Sequence, residues 1–220
     1  MFDAVIFDLD GLLIDTETLS LAAFCEACDH YCLGDQSAVF RRCIGVNKIA
    51  GELVIREGLS RVVDPLQFIE TWNQMYLART ENTRIPLKLG AIELLEHLRT
   101  LNVPTGVATS SSTDRATQKL TDAGIFSYFK VLVGGEQVSQ SKPYPDIYLK
   151  AASLLRVSPG QCLALEDSEN GVRAAVSAGM VTIQIPDLIE PSIELKALGH
   201  VIRSSLNEVK EHEFGWRNTL

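Results

Sequence analysis

Two carboxylates stand where the first apolar segment of the chain ends. The run Ala4–Phe7 is followed directly by Asp8, Leu9, Asp10 and Gly11. In an open parallel sheet, ligands bind beyond the carboxyl ends of the strands, so these two acids should face a ligand and not the core. Side chains two residues apart point to the same side of an extended chain, and Gly11 allows a tight turn that brings the Asp10 carbonyl toward them. The pattern predicts a site for a hard cation.

Further polar residues follow later apolar runs of the same kind. Ser110 and Ser111 follow the second run, Glu166 and Asp167 follow the fourth, and Lys142 precedes a helical segment between them. Because the carboxyl ends of parallel strands converge on one crevice, carboxylates, a hydroxyl and an ammonium should meet there. Oxygen ligands suit Mg²⁺, and Mg²⁺ offsets the repulsion between an attacking carboxylate and a phosphate group. The set therefore predicts phosphoryl transfer.

The elements that must position these residues alternate along most of the chain. The later apolar runs cover 104–109, 131–133, 162–165 and 181–185, and amphipathic helical segments cover 91–100, 113–123, 146–155 and 171–178. Gly124 and Gly179 stand where glycines that end helices are expected. Strands that alternate with helices of this length form βαβ units. We therefore predict an α/β fold with a doubly wound, Rossmann-like parallel sheet.

One interval breaks this alternation. Between residues 16 and 84 there is helical periodicity, at 21–27, 49–56 and 65–79, but no strand of the core type. Such an interval is too long for an ordinary connection between a strand and its helix. We expect a helical cap domain at 16–84, inserted into a catalytic core made of 1–15 and 85–220, with the return hinge at 82–89. A cap beside the acids can close over them and exclude water.

Composition limits the classes of function. The 220 residues are 46% hydrophobic and 22% charged, which is ordinary for a globular protein. The net charge of −8 repels phosphate backbones, so no nucleic-acid partner is expected. No apolar stretch is long enough for a membrane span, and no leader precedes the first strand, so we expect a cytoplasmic protein without a membrane partner, a monomer or weak dimer.

The five cysteines give a weak signal. Their odd number argues against a disulfide framework. Cys25, Cys28, His30 and Cys32 crowd together and could suggest zinc, but the first two lie in a helical pattern and no second cysteine pair follows at the spacing of a structural zinc site. We interpret them as small, partly buried thiols in a helix.

The motifs FDLDGLLIDTE, VATSSS, SKPYPD and ALEDSENG, in this order, resemble those of the haloacid dehalogenase superfamily of phosphatases. The resemblance covers essentially the whole chain, and the position of the cap is similar to that of the helical-cap subgroup. It implies that Asp8 is the nucleophile, which forms an aspartyl-phosphate, and that Asp10 is the acid and base. It also implies that Asp8, the Asp10 carbonyl and Asp167 ligate Mg²⁺, with Glu166 as a ligand or just behind the ligands.

The resemblance assigns the phosphate-binding residues as well. Ser110 would hydrogen-bond a transferring phosphate oxygen, and Ser111 is a further candidate for phosphate binding. The alternative for this run is an N-cap of the next helix, which Thr109, Ser111 or Ser112 could equally provide. Lys142 would hold the same group and balance the charge of Asp8. Lys48 is a candidate for a second anionic group of the substrate, and a solvated lysine is the alternative.

Two other acids, Asp15 and Glu17, are expected to cap or orient the first cap helix and are not predicted to be catalytic.

These residues predict a Mg²⁺-dependent phosphatase that hydrolyses a small phosphorylated metabolite, a sugar or polyol phosphate. The alternative enzyme is a β-phosphoglucomutase-like sugar-phosphate mutase, against which Ser20 counts because the mutase has a histidine there. The alternative of another class is a phospho-receiver signalling module. Receivers carry the phosphate acceptor on their third strand and lack a large insertion after the first, so the order of motifs argues against that class.

Overall fold

A parallel sheet of six strands forms the centre of the computed structural model, which describes residues 2–80 and 85–214. The strand order is β3-β2-β1-β4-β5-β6, and every neighbouring pair is parallel. The strands are β1 (Ala4–Phe7), β2 (Thr105–Ala108), β3 (Val131–Val133), β4 (Cys162–Glu166), β5 (Val181–Gln184) and β6 (Val201–Ile202). The predicted parallel α/β fold is confirmed, and β6 is a short edge strand that the sequence pattern did not predict.

Strand β1 is apolar throughout because both of its faces are covered. Val5 and Phe7 belong to the hydrophobic cluster on one face of the sheet, whereas Ala4 and Ile6 belong to the cluster on the other. A continuous apolar run is typical of a strand in the middle of a parallel sheet. Since β1 pairs with β2 on one side and β4 on the other, its carboxyl end lies near the middle of the row formed by the carboxyl ends of the strands.

Four α-helices lie between β1 and residue 80. They are α1 (Thr16–His30), α2 (Ser37–Arg41), α3 (Lys48–Leu59) and α4 (Pro65–Thr80). The three predicted helices fall within α1, α3 and α4, and α2 is additional. The Phe24 ring lies 5.3, 5.3 and 5.2 Å from the ring centroids of Phe40, Phe68 and Trp72, in a buried cluster separate from those that flank the sheet. The four helices therefore have a hydrophobic core of their own.

The segments that lead into and out of these helices pair with each other. Asp15 N donates to Pro86 O at 2.8 Å, and Lys88 N donates to Leu13 O at 3.0 Å. Residues 82–84 of the predicted hinge, like the predicted end of the cap at residue 84, lie outside the described residues. The described part of the return segment is thus held against the outgoing segment by backbone hydrogen bonds.

The remaining helices flank the sheet or close its edge. They are α5 (Ala91–Thr100), α6 (Thr113–Asp122), α7 (Asp146–Leu155), α8 (Glu169–Ser177), α9 (Ile193–Lys196) and α10 (Leu206–Val209), with a π-helix at Lys210–Phe214. Gly124 and Gly179 follow α6 and α8 with φ of +74° and +76°, as predicted for glycines that end helices. Within the described ranges, every helix is too short or too polar to traverse a lipid bilayer.

The aromatic cluster around Phe24 should dominate the stability of the four helices. Phe24→Ala is expected to lower the free energy of unfolding by about 3–5 kcal/mol, because it removes a fully buried ring and leaves a cavity. Urea denaturation followed by far-ultraviolet circular dichroism measures this change. Leu66→Ala is the control on α4, since that side chain is 57% exposed and its removal should change little. Equal effects of the two substitutions would contradict the proposed importance of the cluster.

Candidate active site

The carboxylates at the ends of β1 and β4 meet because the two strands are paired in register. Phe7 lies opposite Leu165, and Asp8 N donates to Leu165 O at 2.9 Å. This places Asp8 beside Glu166 and Asp167, and one carboxylate oxygen of each lies within 4.8 Å of the others. All three residues are buried. The structure therefore brings together the three predicted acids of the strand ends.

Lys142 lies between two of these acids. Its Nζ is 2.5 Å from Asp8 Oδ1 and 2.5 Å from Glu166 Oε1, and it donates to Ala108 O at 3.0 Å. Burial alone would lower the pKa of Lys142, but the carboxylates of Asp8 and Glu166 outweigh it and raise that pKa. Burial raises the pKa of Asp8 to about 7 against the opposing effect of Lys142, and the charge of Glu166 adds to this rise. The single positive charge of Lys142 therefore cannot neutralise both buried carboxylates, those of Asp8 and Glu166.

Glu166 is saturated with donors. Its Oε1 accepts from Lys142 Nζ and, at 2.7 Å, from the Tyr148 hydroxyl. Its Oε2 accepts from Asp167 N at 3.1 Å and from the backbone N and hydroxyl of Ser168 at 3.2 and 3.1 Å. Since both oxygens are engaged, Glu166 is suited to orienting Lys142 and the strand end.

Asp167 is placed differently. Its Oδ1 is buried and has no hydrogen-bond partner in the described chain. Burial, with the charges of Asp8 and Glu166, raises the pKa of Asp167 well above its usual value. A buried carboxylate oxygen without a donor is costly. A divalent cation would remove that cost, so the acids fit an oxygen-coordinated Mg²⁺ held by Asp8 and Asp167.

Two glycines make room for these carboxylates. A Cβ on Gly171, in the first turn of α8, would lie 1.8 Å from Glu166 Oε1. A Cβ on Gly11 would lie 2.5 Å from Asp167 Oδ2, and Gly11 has a φ of +86° that side chains rarely adopt. Both positions therefore require glycine for close packing against the acids.

Asp10 is held by three side chains. Its Oδ1 accepts from the Thr16 hydroxyl at 2.7 Å and from Lys119 Nζ at 2.6 Å, and its Oδ2 accepts from the Ser111 hydroxyl at 2.8 Å. Burial acts in the opposite direction, yet Lys119 and these hydrogen bonds lower the pKa of Asp10. Asp10 is thus a fixed carboxylate whose partners come from α1, α6 and the end of β2.

Lys119 was not predicted from the sequence, although α6 carries a signal for it. Ala116 and Leu120 are buried on that helix, so position 119 falls in the same apolar stripe at helical spacing. A lysine in a stripe that faces the core requires a partner. Here the partner is Asp10.

Three further residues, Ser110, Ser111 and Lys48, were predicted to bind phosphate or substrate. Ser111 binds Asp10, and Ser110 is half-buried at the same strand end. Lys48 begins α3, is 78% exposed and lies 3.8 Å from Glu52, which is the arrangement of a solvated lysine.

Glu17 and Asp15 also differ from the expectation that they serve only the start of α1. Burial raises the pKa of Glu17 to about 8, with contributions from the charges of Asp10 and Asp187, so Glu17 lies close to the site. Within the part of the chain that the structure describes, Asp15 makes no side-chain capping hydrogen bond, and its Oδ1 lies 4.0 Å from Lys88 Nζ. Both acids contribute to the electrostatics of the site edge.

Negative charge exceeds positive charge around the site. Seven carboxylates compare with three lysines, which leaves an excess of four negative charges when all are ionised. The carboxylates are those of Asp8, Asp10, Asp15, Glu17, Glu166, Asp167 and Asp187, and the lysines are Lys88, Lys119 and Lys142. Such a site favours a bound cation.

Comparison with known proteins agrees with this geometry. Residues 5–185 match the model of the haloacid dehalogenase-like hydrolases, so the chain belongs to this family. It is 33% identical over 181 residues to a phosphorylated carbohydrates phosphatase of Thermotoga maritima, covering 82% of this chain and 83% of the relative. It is 34% identical over 224 residues to a probable pseudouridine-5'-phosphatase of Drosophila melanogaster, covering 96% and 92%.

A solved structure supports the same assignment. The crystal structure of a putative β-phosphoglucomutase from Thermotoga maritima superposes with a TM-score of 0.76 at 30% identity, covering 95% of this chain and 99% of that one. The predicted membership of a phosphatase-type hydrolase family with a helical cap is confirmed, and the receiver alternative is not supported.

The close contact at Gly171 gives a test of the packing. Gly171→Ala is expected to lower the free energy of unfolding by about 3 kcal/mol, because the new Cβ would displace the Glu166 carboxylate from Lys142. Chemical denaturation measures this loss. Gly51→Ala is a matched control in α3, where the nearest atom would be 3.8 Å away and alanine should stabilise the helix by up to about 1 kcal/mol. A tolerated alanine at 171 would contradict the described packing.

Glu17 should make stability depend on pH. In the folded protein Glu17 keeps its proton up to about pH 8, whereas the unfolded chain releases it near 4.5, so the folded state loses stability as pH rises between these values. Glu17→Gln removes this loss. Without metal, the variant should exceed the original chain in melting temperature by several degrees at pH 8.5 and by little at pH 4.5.

Thermal unfolding in the presence of a chelator measures the effect of Glu17→Gln. The exposed Glu70 provides the control variant Glu70→Gln, which should follow the original chain at both pH values. An equal gain for Glu17→Gln at the two pH values would contradict the raised pKa of Glu17.

Proposed function

We propose that the chain is a Mg²⁺-dependent phosphatase that hydrolyses a small phosphorylated metabolite, a sugar or polyol phosphate, through an aspartyl-phosphate on Asp8. The observation that carries the proposal is the arrangement of Asp8, Lys142 and Asp167. A carboxylate fixed by a buried lysine lies beside a second carboxylate, one oxygen of which has no donor among the described residues. This is the arrangement that an attacking group and a metal ligand require.

In this proposal Asp8 attacks phosphorus with an oxygen, and the ester bond to the leaving group breaks. Lys142 Nζ lies 2.5 Å from Asp8 Oδ1, and this contact fixes the direction of the carboxylate. Lys142 would also bind the phosphoryl group that is transferred. Asp8, Asp167 and the Asp10 carbonyl would hold the Mg²⁺, which supplies charge neutralisation when bound. Ser110, at the end of β2, would bind a phosphate oxygen. A water then releases phosphate and regenerates Asp8.

Asp10 is proposed to give a proton to the leaving oxygen and later to take one from water. Because Lys119 and the hydrogen bonds lower the pKa of Asp10 against the opposing effect of burial, Asp10 must take up that proton when the substrate binds. Both of its oxygens are engaged in the described arrangement, by Thr16, Lys119 and Ser111. One of these bonds must be exchanged for a bond to the substrate. Because Thr16 is the first residue of α1, movement of that helix would remove the Thr16 hydrogen bond from Asp10 Oδ1, while the bonds from Lys119 and Ser111 would remain.

The groups near Asp10 support the proposed substrate class. We propose that residues 16–84 act as a cap over a core of 1–15 and 85–220. Glu17 on α1 and Tyr76 on α4 lie within electrostatic range of Lys119 and Asp10, so hydrogen-bonding groups of helices and core face one region. Such groups suit the hydroxyls of a sugar or polyol phosphate. The similarity to a relative named for phosphorylated carbohydrates supports the same class.

A sugar-phosphate mutase is the second candidate, because the superposed neighbour is named a putative β-phosphoglucomutase. A mutase returns the phosphoryl group to a bound sugar and produces an isomer instead of free phosphate. Ser20 supplies no imidazole to position the acid for that return, and its carbonyl accepts from the Trp72 indole at 3.0 Å. We therefore favour hydrolysis.

Asp8→Asn tests the nucleophile. Release of inorganic phosphate from a panel of sugar and polyol phosphates should fall by at least about 10³-fold, because an amide cannot form the phosphoenzyme. Asp122→Asn, on the exposed surface of α6, is the control and should keep full activity. Retained turnover in Asp8→Asn would refute the assignment, and an isomeric sugar phosphate without free phosphate would favour the mutase.

Metal removal completes the same assay. Treatment of the original chain with a chelator should abolish phosphate release, and added Mg²⁺ should restore it, because three buried carboxylates otherwise repel the phosphate. Turnover that persists in the chelator would contradict the metal dependence.

A further inference from the structure

We propose that Asp187 is a positioning residue of the metal site, which accepts a hydrogen bond from a metal-bound water and is itself oriented by Lys88 of the hinge. The inference rests on the proposed function because it requires that a cation bind at Asp8 and Asp167. It assigns a role to an acid that the sequence motifs do not include.

The position of Asp187 follows from the sheet. Strand β5 pairs with β4, and the N–H of Ile185, the first residue after β5, donates to the carbonyl of Glu166, the last residue of β4, at 2.7 Å. Asp187 lies two residues after Ile185, so both Asp187 and Asp167 lie at the carboxyl ends of the strands. The loop after β5 thus brings one more carboxylate to the crevice.

Gly11 shows how close the two carboxylates are. A Cβ at Gly11 would lie 2.5 Å from Asp167 Oδ2 and 3.4 Å from Asp187 Oδ2. Both oxygens therefore line the small space that a side chain at position 11 would fill. Gly11 follows Asp10 directly and is three residues from Asp8, so this space lies beside the proposed metal site.

The free oxygen of Asp187 requires a donor. The side chain is only 10% exposed, and Oδ2 is buried without a hydrogen-bond partner in the described ranges. An acceptor buried in this way is costly unless water or another donor reaches it. Asp187 is not among the acids whose oxygens lie within 4.8 Å of one another, so direct ligation is not favoured. A metal-bound water supplies the missing donor.

The other oxygen of Asp187 is fixed from the hinge. Lys88 Nζ lies 2.6 Å from Asp187 Oδ1, and the Lys88 backbone is bound to Leu13 at 3.0 Å. The hinge therefore holds the carboxylate so that Oδ2 turns toward Gly11. Mutation of a residue that orients the ligands of a metal typically lowers metal affinity by about 10–100-fold.

The test measures metal binding without turnover. Metal-stripped protein is titrated with Mn²⁺, free Mn²⁺ is counted by electron paramagnetic resonance, and Mg²⁺ is added as competitor. Asp187→Ala should weaken Mn²⁺ and Mg²⁺ binding at least about 10-fold. The double variant Asp187→Ala with Lys88→Met keeps the net charge of the original chain, and it should stay weakened because the acceptor is still missing.

Controls separate the explanations. Glu213→Ala breaks the ion pair with Arg203 in another part of the core and should bind metal normally. If Asp187→Ala fails to fold by circular dichroism in chelator, Asp187→Asn replaces it. Its amide oxygen would face Lys88 and its amide nitrogen would face the water, so the same weakening is expected.

The outcomes distinguish the two proposals. Normal affinity in Asp187→Ala, or full recovery in the double variant, would overturn the role of Asp187, since only net charge would then matter. Absence of metal binding in the original chain, or an Asp167→Asn variant that binds as well as the original, would instead overturn the metal site of the proposed function.

Discussion

A buried ammonium between buried carboxylates is the interaction on which the site depends. The side chain of Lys142 is 2% exposed, and those of Asp8 and Glu166 are 9% and 0% exposed. Charges in such surroundings are costly unless each is paired, and removal of one partner typically costs about 3–5 kcal/mol. The three residues come from the end of β1, the end of β4 and the chain between β3 and α7. The sheet register and the chemistry therefore support one another, because a slip of either strand would leave a buried charge without its partner.

The buried carboxylates are not all paired with donors, and the unpaired oxygen leaves the site able to bind a cation. Glu166 receives five donors, whereas Asp167 Oδ1 has none in the described chain. The folded protein thus concentrates negative charge that its own lysines do not balance. Functional sites commonly reduce stability in this way, because the groups that bind a ligand cannot also be satisfied internally. Gly11 and Gly171 keep the space around the acids free of side chains, which is a second condition for this arrangement.

The sequence predicted the parts of this design that depend on local pattern. Acids directly after apolar runs marked the ends of β1 and β4, and parallel pairing then required Asp8, Glu166 and Asp167 to meet. Strand β6 was missed because two residues give no pattern. Lys119 and Asp187 were missed because their partners are distant in sequence, Asp10 by 109 residues and Lys88 by 99. A charged side chain in the apolar stripe of α6 was a usable signal for the first, and no local pattern marks the second.

The hinge contacts connect the position of the four helices to the state of the site. On the outgoing side, Thr16 at the start of α1 binds Asp10, and on the return side Lys88 binds Asp187. The two segments are paired through backbone hydrogen bonds, so they form one structural unit. A rotation of α1 about this unit therefore acts on the Thr16 contact with Asp10, while the Lys88 contact stays with the core. The proton-transfer group would then respond to the position of the helices, whereas the acid assigned to the metal site would stay fixed. In the proposed function, such a division would keep the metal bound while substrate enters and product leaves.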